Sequence, residues 1–327
     1  MTTIDVIVPC YRYAHFLKQC VESVLTQSGV DVRVLILDDA SPDNTAEVAA
    51  ELAKNDSRVT VRRHSINLRH IATYNEGIEW VSADYMLLLS ADDYLLPGAF
   101  SRAAKLMEQH PNVGFVFGNA IELHEHDCRK RTDAVSCPNG DRILSSEAFF
   151  RLSGARNLVP TPTAIIRTEL QKTVGGYRAE LPHAGDMEMW LRLAAHALVG
   201  FIEEPQAVYR RHSGNMSLSY GKHSPLPDLE QRAAALNRFL HTCADRLVNM
   251  PWLRRHLLYL LALDAVHLAS SSFNRGHLDI CESLLAFACR TNSQVTRSLP
   301  WLKLGCKRRM GLRWWRALQP IANGIRG

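Results

Sequence analysis

Tyr85-Met-Leu-Leu-Leu-Ser-Ala-Asp-Asp93 decides how the chain is read. Tyr85 to Leu89 is a short, continuous apolar run, the pattern of a strand buried on both faces. It ends in two adjacent carboxylates, and Tyr94-Leu-Leu-Pro-Gly98 breaks the chain behind them. In an open α/β sheet, ligands collect at the carboxyl ends of the strands. A pair of acids placed there reads as a binding site.

The residues before this stretch supply the rest of such a sheet. Ile4-Asp-Val-Ile-Val8 is a β-branched run ended by Pro9, a strand with a turn behind it. Phe16, Leu17, Cys20, Val21, Val24 and Leu25 recur with helical period, which predicts an amphipathic helix over 15–27. Val32-Arg-Val-Leu-Ile-Leu37 is a second strand and ends in Asp38-Asp39. Ser41-Pro-Asp-Asn-Thr45 then offers cap chemistry for a helix running to Lys54. A third strand over 58–62 and a helix over 71–81, interrupted by Gly77, lead back to Tyr85. Three β-then-α units in about 90 residues imply a parallel, doubly wound sheet. Two of its strands end in paired aspartates.

Beyond Gly98 the pattern predicts a helix over 99–109, a strand over 113–117 and a polar excursion over 120–144. A helix over 145–152 and a strand over 163–166 follow, and Gly175-Gly176-Tyr177 turns the chain toward a helix over 186–194. Short strands are expected at 199–202 and 207–210. A Gly-, Ser- and Pro-containing loop over 213–228 marks a boundary, after which the chain is helical near 229–248, 252–271 and 277–290.

Composition bounds the class. The 327 residues are 46% apolar and 22% charged, ordinary for a globular protein. No apolar run approaches the roughly 20 residues of a membrane span; residues 257–263 are the longest, and Asp264 follows. The first residues show no signal-peptide pattern, and the eight cysteines lie mostly singly within apolar patterns. The expectation is a cytoplasmic protein with reduced thiols. The net charge of +5 is local: residues 284–327 hold nine Lys/Arg and no acid, leaving the rest at −4. This tail mixes Trp and Leu with cations, the ingredients of a peripheral contact with a membrane surface. No nucleic-acid-reading motif accompanies it. His124-Glu-His-Asp-Cys128 with Cys137 offers zinc-type ligands, but their spacing fits no recurrent zinc pattern.

Six motifs now stand in order: Val8-Pro9-Cys10-Tyr11, Leu37-Asp38-Asp39-Ala40-Ser41, Asn67 with Asn75-Glu-Gly77, Ser90-Ala-Asp-Asp93, Gly185-Asp186 with Trp190, Arg192 and Ala194, and Tyr209-Arg210 with His212, Asn215 and Ser217. In order and spacing they resemble the inverting GT-A glycosyltransferases of family 2, over about residues 3–220. The resemblance implies an α/β GT-A domain in 1–220, with a Rossmann-like, mostly parallel sheet. An all-α extension over 221–327 follows it. It implies transfer of a sugar from a nucleotide-diphosphate donor, of UDP or dTDP type, to a hydroxyl of a glycan or lipid-linked glycan. The process would be cell-surface polysaccharide biosynthesis, assisted by Mn2+ or Mg2+.

Carried onto this chain, Asp39 accepts from the base or ribose, and Pro9 and Tyr11 form the floor beneath the nucleoside. Asp93 is the direct metal ligand with Asp92 as its helper. Asp186 is the general base. Asn75, Arg69 and Arg210 approach the donor, and His212 ligates the metal or donates to the diphosphate. Three positions depart from the family pattern: Ser90 replaces an acid, Gly185 replaces an acid, and Arg69 stands where Gly is common. They would also suit a degenerate transferase acting as a scaffold in envelope glycan assembly. A sugar nucleotidyltransferase would instead want a Gly-rich phosphate loop after the first strand. Cys10-Tyr-Arg-Tyr-Ala-His15 holds no glycine.

Overall fold

The computed structural model describes residues 1–124, 130–131, 143–216 and 224–315. In chain order, β1 (Thr3–Cys10), α1 (Ala14–Leu25), β2 (Asp31–Asp38), α2 (Thr45–Asn55), β3 (Val59–Arg63), α3 (Arg69–Trp80) and β4 (Tyr85–Leu88) alternate as the periodicities predict. There follow β5 (Tyr94–Leu95), α4 (Ala99–Gln109), β6 (Val113–His124), β7 (Lys130–Arg131), β8 (Ile143–Leu144), α5 (Ser146–Ser153), β9 (Ile165–Arg167), α6 (Thr168–Val174), α7 (Gly185–Ala194) and β10 (Leu198–Arg211).

One sheet runs β3-β2-β1-β4-β9-β6-β10-β5, with β7 on β6 and β8 on β10. Its first four strands are parallel; β9 lies antiparallel between β4 and β6, so the sheet is mixed. Of these, β1, β4 and the second half of β2 are buried on both faces, which is why they read as continuous apolar runs, whereas the edge strand β3 is largely exposed. Val6, Val8, Val34 and Ile36 pack with Leu17, Cys20, Val21 and Val24 of α1. Fully burying each such side chain is worth about 1.5–3 kcal/mol. On the opposite face α3 presses against β1 so closely that a Cβ on Gly77 would overlap Ile7. Gly77 therefore marks a close approach, and the helix runs through it without interruption.

Two expectations change. The strand expected to stop at Phe117 continues to His124, because Ala207–Arg211 pairs alongside Ala120–His124. For the same reason the two short strands at 199–202 and 207–210 are one strand, β10, with a register shift between Ile202 and Ala207. The histidine and cysteine cluster from 125 onward lies outside the described residues, as do Ser217 and residues 316–327.

Residues 1–153 with 157–215 form one compact unit; residues 154–156 with 216–327 form a second. The second is helical: α8 (Leu226–Thr242), α9 (Met250–Arg275), α10 (Leu278–Thr291) and α11 (Leu299–Met310). By length and composition α9 could cross a membrane, which no uninterrupted apolar run had indicated. Its Leu253, Leu257, Leu261, Ala265, Ala269 and Phe273 are buried at helical spacing, the pattern of a core helix. Asp264 on that helix is gripped by Arg156 (2.9 Å) and Arg232 (2.7 Å). Although burial opposes it, these hydrogen bonds hold the Asp264 carboxyl below its ordinary range.

Candidate functional site

The loops that follow the parallel strands are strained. Arg12 (φ 64°), just past β1, Ala40 (φ 55°), just past β2, and Arg69 (φ 68°), opening α3, all occupy the left-handed region. For residues with a Cβ that conformation costs roughly 1–2 kcal/mol each, and such outliers cluster where a site demands them. Their connections are fixed by side chains: Ser41 Oγ accepts from Arg12 N at 2.5 Å, and Asp43 accepts from Ala14 N at 3.2 Å and Thr45 Oγ1 at 2.6 Å. The N-cap of α2 is Asn44, without a side-chain cap bond, and Ser41 and Asp43 instead join the starts of α1 and α2.

The first aspartate pair divides its labour. Asp38 is fully buried and accepts from Ser41 N at 2.8 Å. Asp39 Oδ1 accepts from Leu68 N at 2.7 Å and faces His64 Nδ1 at 2.8 Å. Asp39 Oδ2 takes no hydrogen bond from the described residues and remains for a ligand. Pro9 does not end the neighbouring strand as expected, since β1 runs on to Cys10, and Tyr11 is exposed just beyond it, with the Arg12 guanidinium 5.3 Å from its ring centre.

The second pair is arranged differently from the expectation. Asp93 Oδ1 accepts from Arg210 N at 2.9 Å, and its carboxyl is pushed well above the ordinary range by burial and then by Asp92. Asp92 Oδ2 meets His212 Nε2 at 3.1 Å and Asn215 Nδ2 at 3.2 Å, while its buried Oδ1 has no partner. His212 Nδ1 accepts from Gly214 N at 3.2 Å, so the ring's proton sits on Nε2 and is donated to Asp92. In this arrangement His212 orients Asp92. Tyr13 reinforces it, donating to Gly214 O at 3.0 Å and setting its ring edge-on to His212. Among the described residues no three His, Cys, Asp or Glu side chains converge on one point. A metal here would rest on the free oxygens of this pair, Asp92 Oδ1 and Asp93 Oδ2, plus the donor's phosphates, which is how Mg2+ is commonly held.

Asp186 is the second residue of α7 and is partly exposed. Its Oδ2 accepts from Thr161 Oγ1 at 2.9 Å, and the Tyr177 hydroxyl is a second partner. Burial raises its carboxyl above the ordinary range against these hydrogen bonds and the nearby His70 and His183. The Tyr209 phenol is pushed up to about 12, by burial and then by Asp93, Asp92 and Asp186, although Arg211 opposes this. The Tyr209 phenol thus feels the strand-end acids and Asp186 together. Glu188 points elsewhere: it is buried against Arg178 (2.9 Å) and Arg192 (2.9 Å).

Two residues expected at the donor are occupied by the protein. Asn75 Oδ1 accepts from Tyr177 N at 2.6 Å, and its Nδ2 donates to Tyr177 O at 2.9 Å, a two-sided clamp that positions the Tyr177 ring. Arg210 donates to Asp92 O at 2.6 Å and to Gln19, with its guanidinium over the Phe16 and Tyr94 rings. It braces the strand-end turn. Arg69 is exposed and makes no side-chain bond among the described residues, so its charge is available. Sequence reasoning passed over His64, Thr161 and Tyr177. Only the Gly175-Gly176 turn before Tyr177 gave any signal.

Comparison with known proteins bears on the fold and the family. Residues 5–164 match the family model for glycosyl transferase family 2. An uncharacterized protein of Mycobacterium tuberculosis is 28% identical over 218 residues, which make up 64% of this chain and 67% of that protein. Among solved structures, S. aureus TarS with UDP-GlcNAc is similar at a TM-score of 0.60 and 15% identity, over 91% of this chain and 92% of that one. The mannosyltransferase PcManGT of Pyrobaculum calidifontis, solved with GDP-Man and Mn2+, gives 0.54 at 18% identity, over 93% and 78%. Over residues 5–164 the chain is similar to glycosyltransferase family 2, and it shares the GT-A fold of these solved structures.

Proposed function

We propose that this glycosyltransferase inverts the anomeric centre as it moves a sugar from a nucleotide diphosphate to an acceptor hydroxyl. Asp186 serves as the general base. The observation that carries this reading is a single carboxylate, raised by burial and steadied by Thr161 and Tyr177, which the Tyr209 phenol feels together with the strand-end acids. A raised carboxylate is a stronger base once ionised, and such catalysis typically contributes about 10²–10⁴-fold. Asp39 Oδ2 would accept from the base or ribose, and Arg69 would stand near the phosphates. Mn2+ or Mg2+ would be held by Asp93 Oδ2 with Asp92 Oδ1 beside it, and His212 would orient Asp92. When bound, the cation offsets the charge developing on the leaving diphosphate. TarS and PcManGT, solved with nucleotide sugars, support a donor of this kind.

For the acceptor we propose a glycan or a lipid-linked glycan of cell-surface polysaccharide synthesis, worked on at a membrane surface. On α11, Leu299, Leu302, Lys303, Cys306, Arg309 and Met310 are exposed and recur at helical spacing, with Arg313 and Trp314 beyond. This stripe gives the apolar and cationic tail a single face for an anionic lipid surface. Sedimentation with phosphatidylglycerol vesicles, but not phosphatidylcholine vesicles, is the expected result. Equal behaviour with both would remove the membrane contact.

The central test is turnover on a panel of UDP-, dTDP- and GDP-sugars with the anomeric configuration of the product read by NMR. Inversion that is lost in Asp186→Asn and reduced by EDTA is expected. A retained configuration would sink the inverting mechanism. Unchanged turnover in Asp186→Asn, or no turnover by the native protein, would favour the scaffold reading.

A further inference from the structure

His64 follows β3 and belongs to none of the motifs. Its two ring nitrogens face two different carboxylates: Nδ1 lies 2.8 Å from Asp39 Oδ1, and Nε2 lies 2.7 Å from Glu76 Oε2. Ionised carboxylates only accept, and a neutral imidazole has one N–H. A neutral ring would satisfy one contact and aim a lone pair at the other; the imidazolium satisfies both. Neither acid is placed to carry the proton instead. Asp39 Oδ1 already accepts from Leu68 N, and Glu76 Oε1 is paired with Arg62 at 3.3 Å. The His64 side chain is 9% exposed, and the residue's backbone N–H donates to Asp38 O. The charged groups around it are Asp38 and Asp39 of the β2 end, Arg62 and Arg63 of β3, and Glu76 and Arg69 of α3.

We propose that His64 is a cationic positioning residue for the donor nucleotide. It fixes Asp39 Oδ1, so that Oδ2 faces the base or ribose, and through Glu76 it ties that acid to α3. This rests on the reading of Asp39 as a nucleotide contact. Donor affinity is then greatest when both ring nitrogens are protonated, and it falls as pH rises. Burial alone would favour the neutral ring, but the hydrogen bonds to Asp39 and Glu76 outweigh it and hold the His64 pKa above its ordinary value. A group raised on folding adds stability that is complete below its unfolded pKa, about 6.5 for histidine, and lost as pH rises through the folded value.

The experiment is calorimetric binding of UDP-glucose, dTDP-glucose and GDP-mannose between about pH 6 and about pH 8.5, using the native protein, Asp39→Asn, His64→Asn and His64→Gln. The donor bound most tightly by the native protein is followed through the series. His64→Asn keeps an amide donor near the Nδ1 position, so it should bind within a few-fold of native but lose the pH dependence. His64→Gln reaches toward Glu76 and leaves Asp39, so it should bind about tenfold more weakly. In the unsubstituted protein, ring 15N shifts at about pH 7 should show both His64 nitrogens protonated. If no donor binds the native protein, or Asp39→Asn binds as well as native, the nucleotide reading of Asp39 fails and takes this proposal with it. If Asp39→Asn weakens binding while His64→Gln matches native in affinity and pH profile, the His64 proposal alone is overturned. A His64 ring with one bare nitrogen at neutral pH overturns it equally.

Discussion

Glu188 and Asp92 are both buried carboxylates, 0% and 4% exposed, and the fold treats them in opposite ways. Glu188 is closed. Arg178 holds Oε1, Arg192 holds Oε2, and the other guanidinium nitrogens of Arg192 go to Val174 O and Gly176 O. Asp92 is open: one oxygen has no partner, and its neighbour Asp93 is a second carboxyl where Glu188 has guanidiniums. Burial of charge is therefore no mark of function by itself. An unfinished set of partners is, because buried polar groups are otherwise almost always satisfied.

The contrast can be broken at either end. Glu188→Ala should cost the most stability, about 3–5 kcal/mol, because it removes the counter-charge of the buried Arg192 and the partly buried Arg178. Urea unfolding should show that loss, with activity falling only as the folded fraction falls. Asp92→Ala should do the reverse, lowering turnover by roughly 10²–10³-fold while the melting temperature hardly moves. A large drop in melting temperature would make Asp92 a second Glu188.

Asp186 sharpens the comparison through pH. Its pKa is raised on folding, so the native state holds a proton that the unfolded chain has already released. Stability therefore falls as pH rises from the unfolded value, near 3.9, through the folded one. Asp186→Asn should melt higher than native at neutral pH, lose that advantage below about pH 4, and have little turnover. The native rate should rise with pH through the same folded value, above the ordinary carboxylate range. Equal melting temperatures at neutral pH would mean that the fold does not strain this acid. The smallest effect belongs to Arg69→Gly. Relief of the left-handed conformation should stabilise the protein by about 1 kcal/mol, and donor binding should weaken as the free cation is lost. Unchanged donor binding would remove Arg69 from the site.

What the sequence showed depended on the distance over which each feature is encoded. The strands at Ile4, Val32 and Tyr85 are legible because burial on both faces leaves an uninterrupted apolar run. The helix at Asp186 is legible from Met189, Trp190 and Leu193. The strand β9 was expected, but three residues carry no sign of direction, so its antiparallel place between β4 and β6 stayed hidden. Glu203-Glu204-Pro205 reads as a break, yet β10 passes through it because β6 runs alongside. Asn75 and Arg210 stand where the motifs put them, but a motif does not tell whether donors and acceptors are already taken. His64, Thr161 and Tyr177 gain meaning only from partners that folding brings to them. The helix α11 had local signals, Ser298 as its cap and Pro300 at its first turn, inside a stretch dominated by its charge.

Asp92 receives His212 and Asn215 from 120 and 123 residues further along the chain. At the usual pace of synthesis, about 5–20 residues per second, that acid exists for on the order of ten seconds before its partners are made. The sheet to which it belongs can begin to form in that interval, but the corner around Asp92 cannot be completed. A piece of this protein released before residue 215 would carry most of the first unit's sequence and an incomplete corner. Completion of that corner thus doubles as a record that the first unit was made to its end.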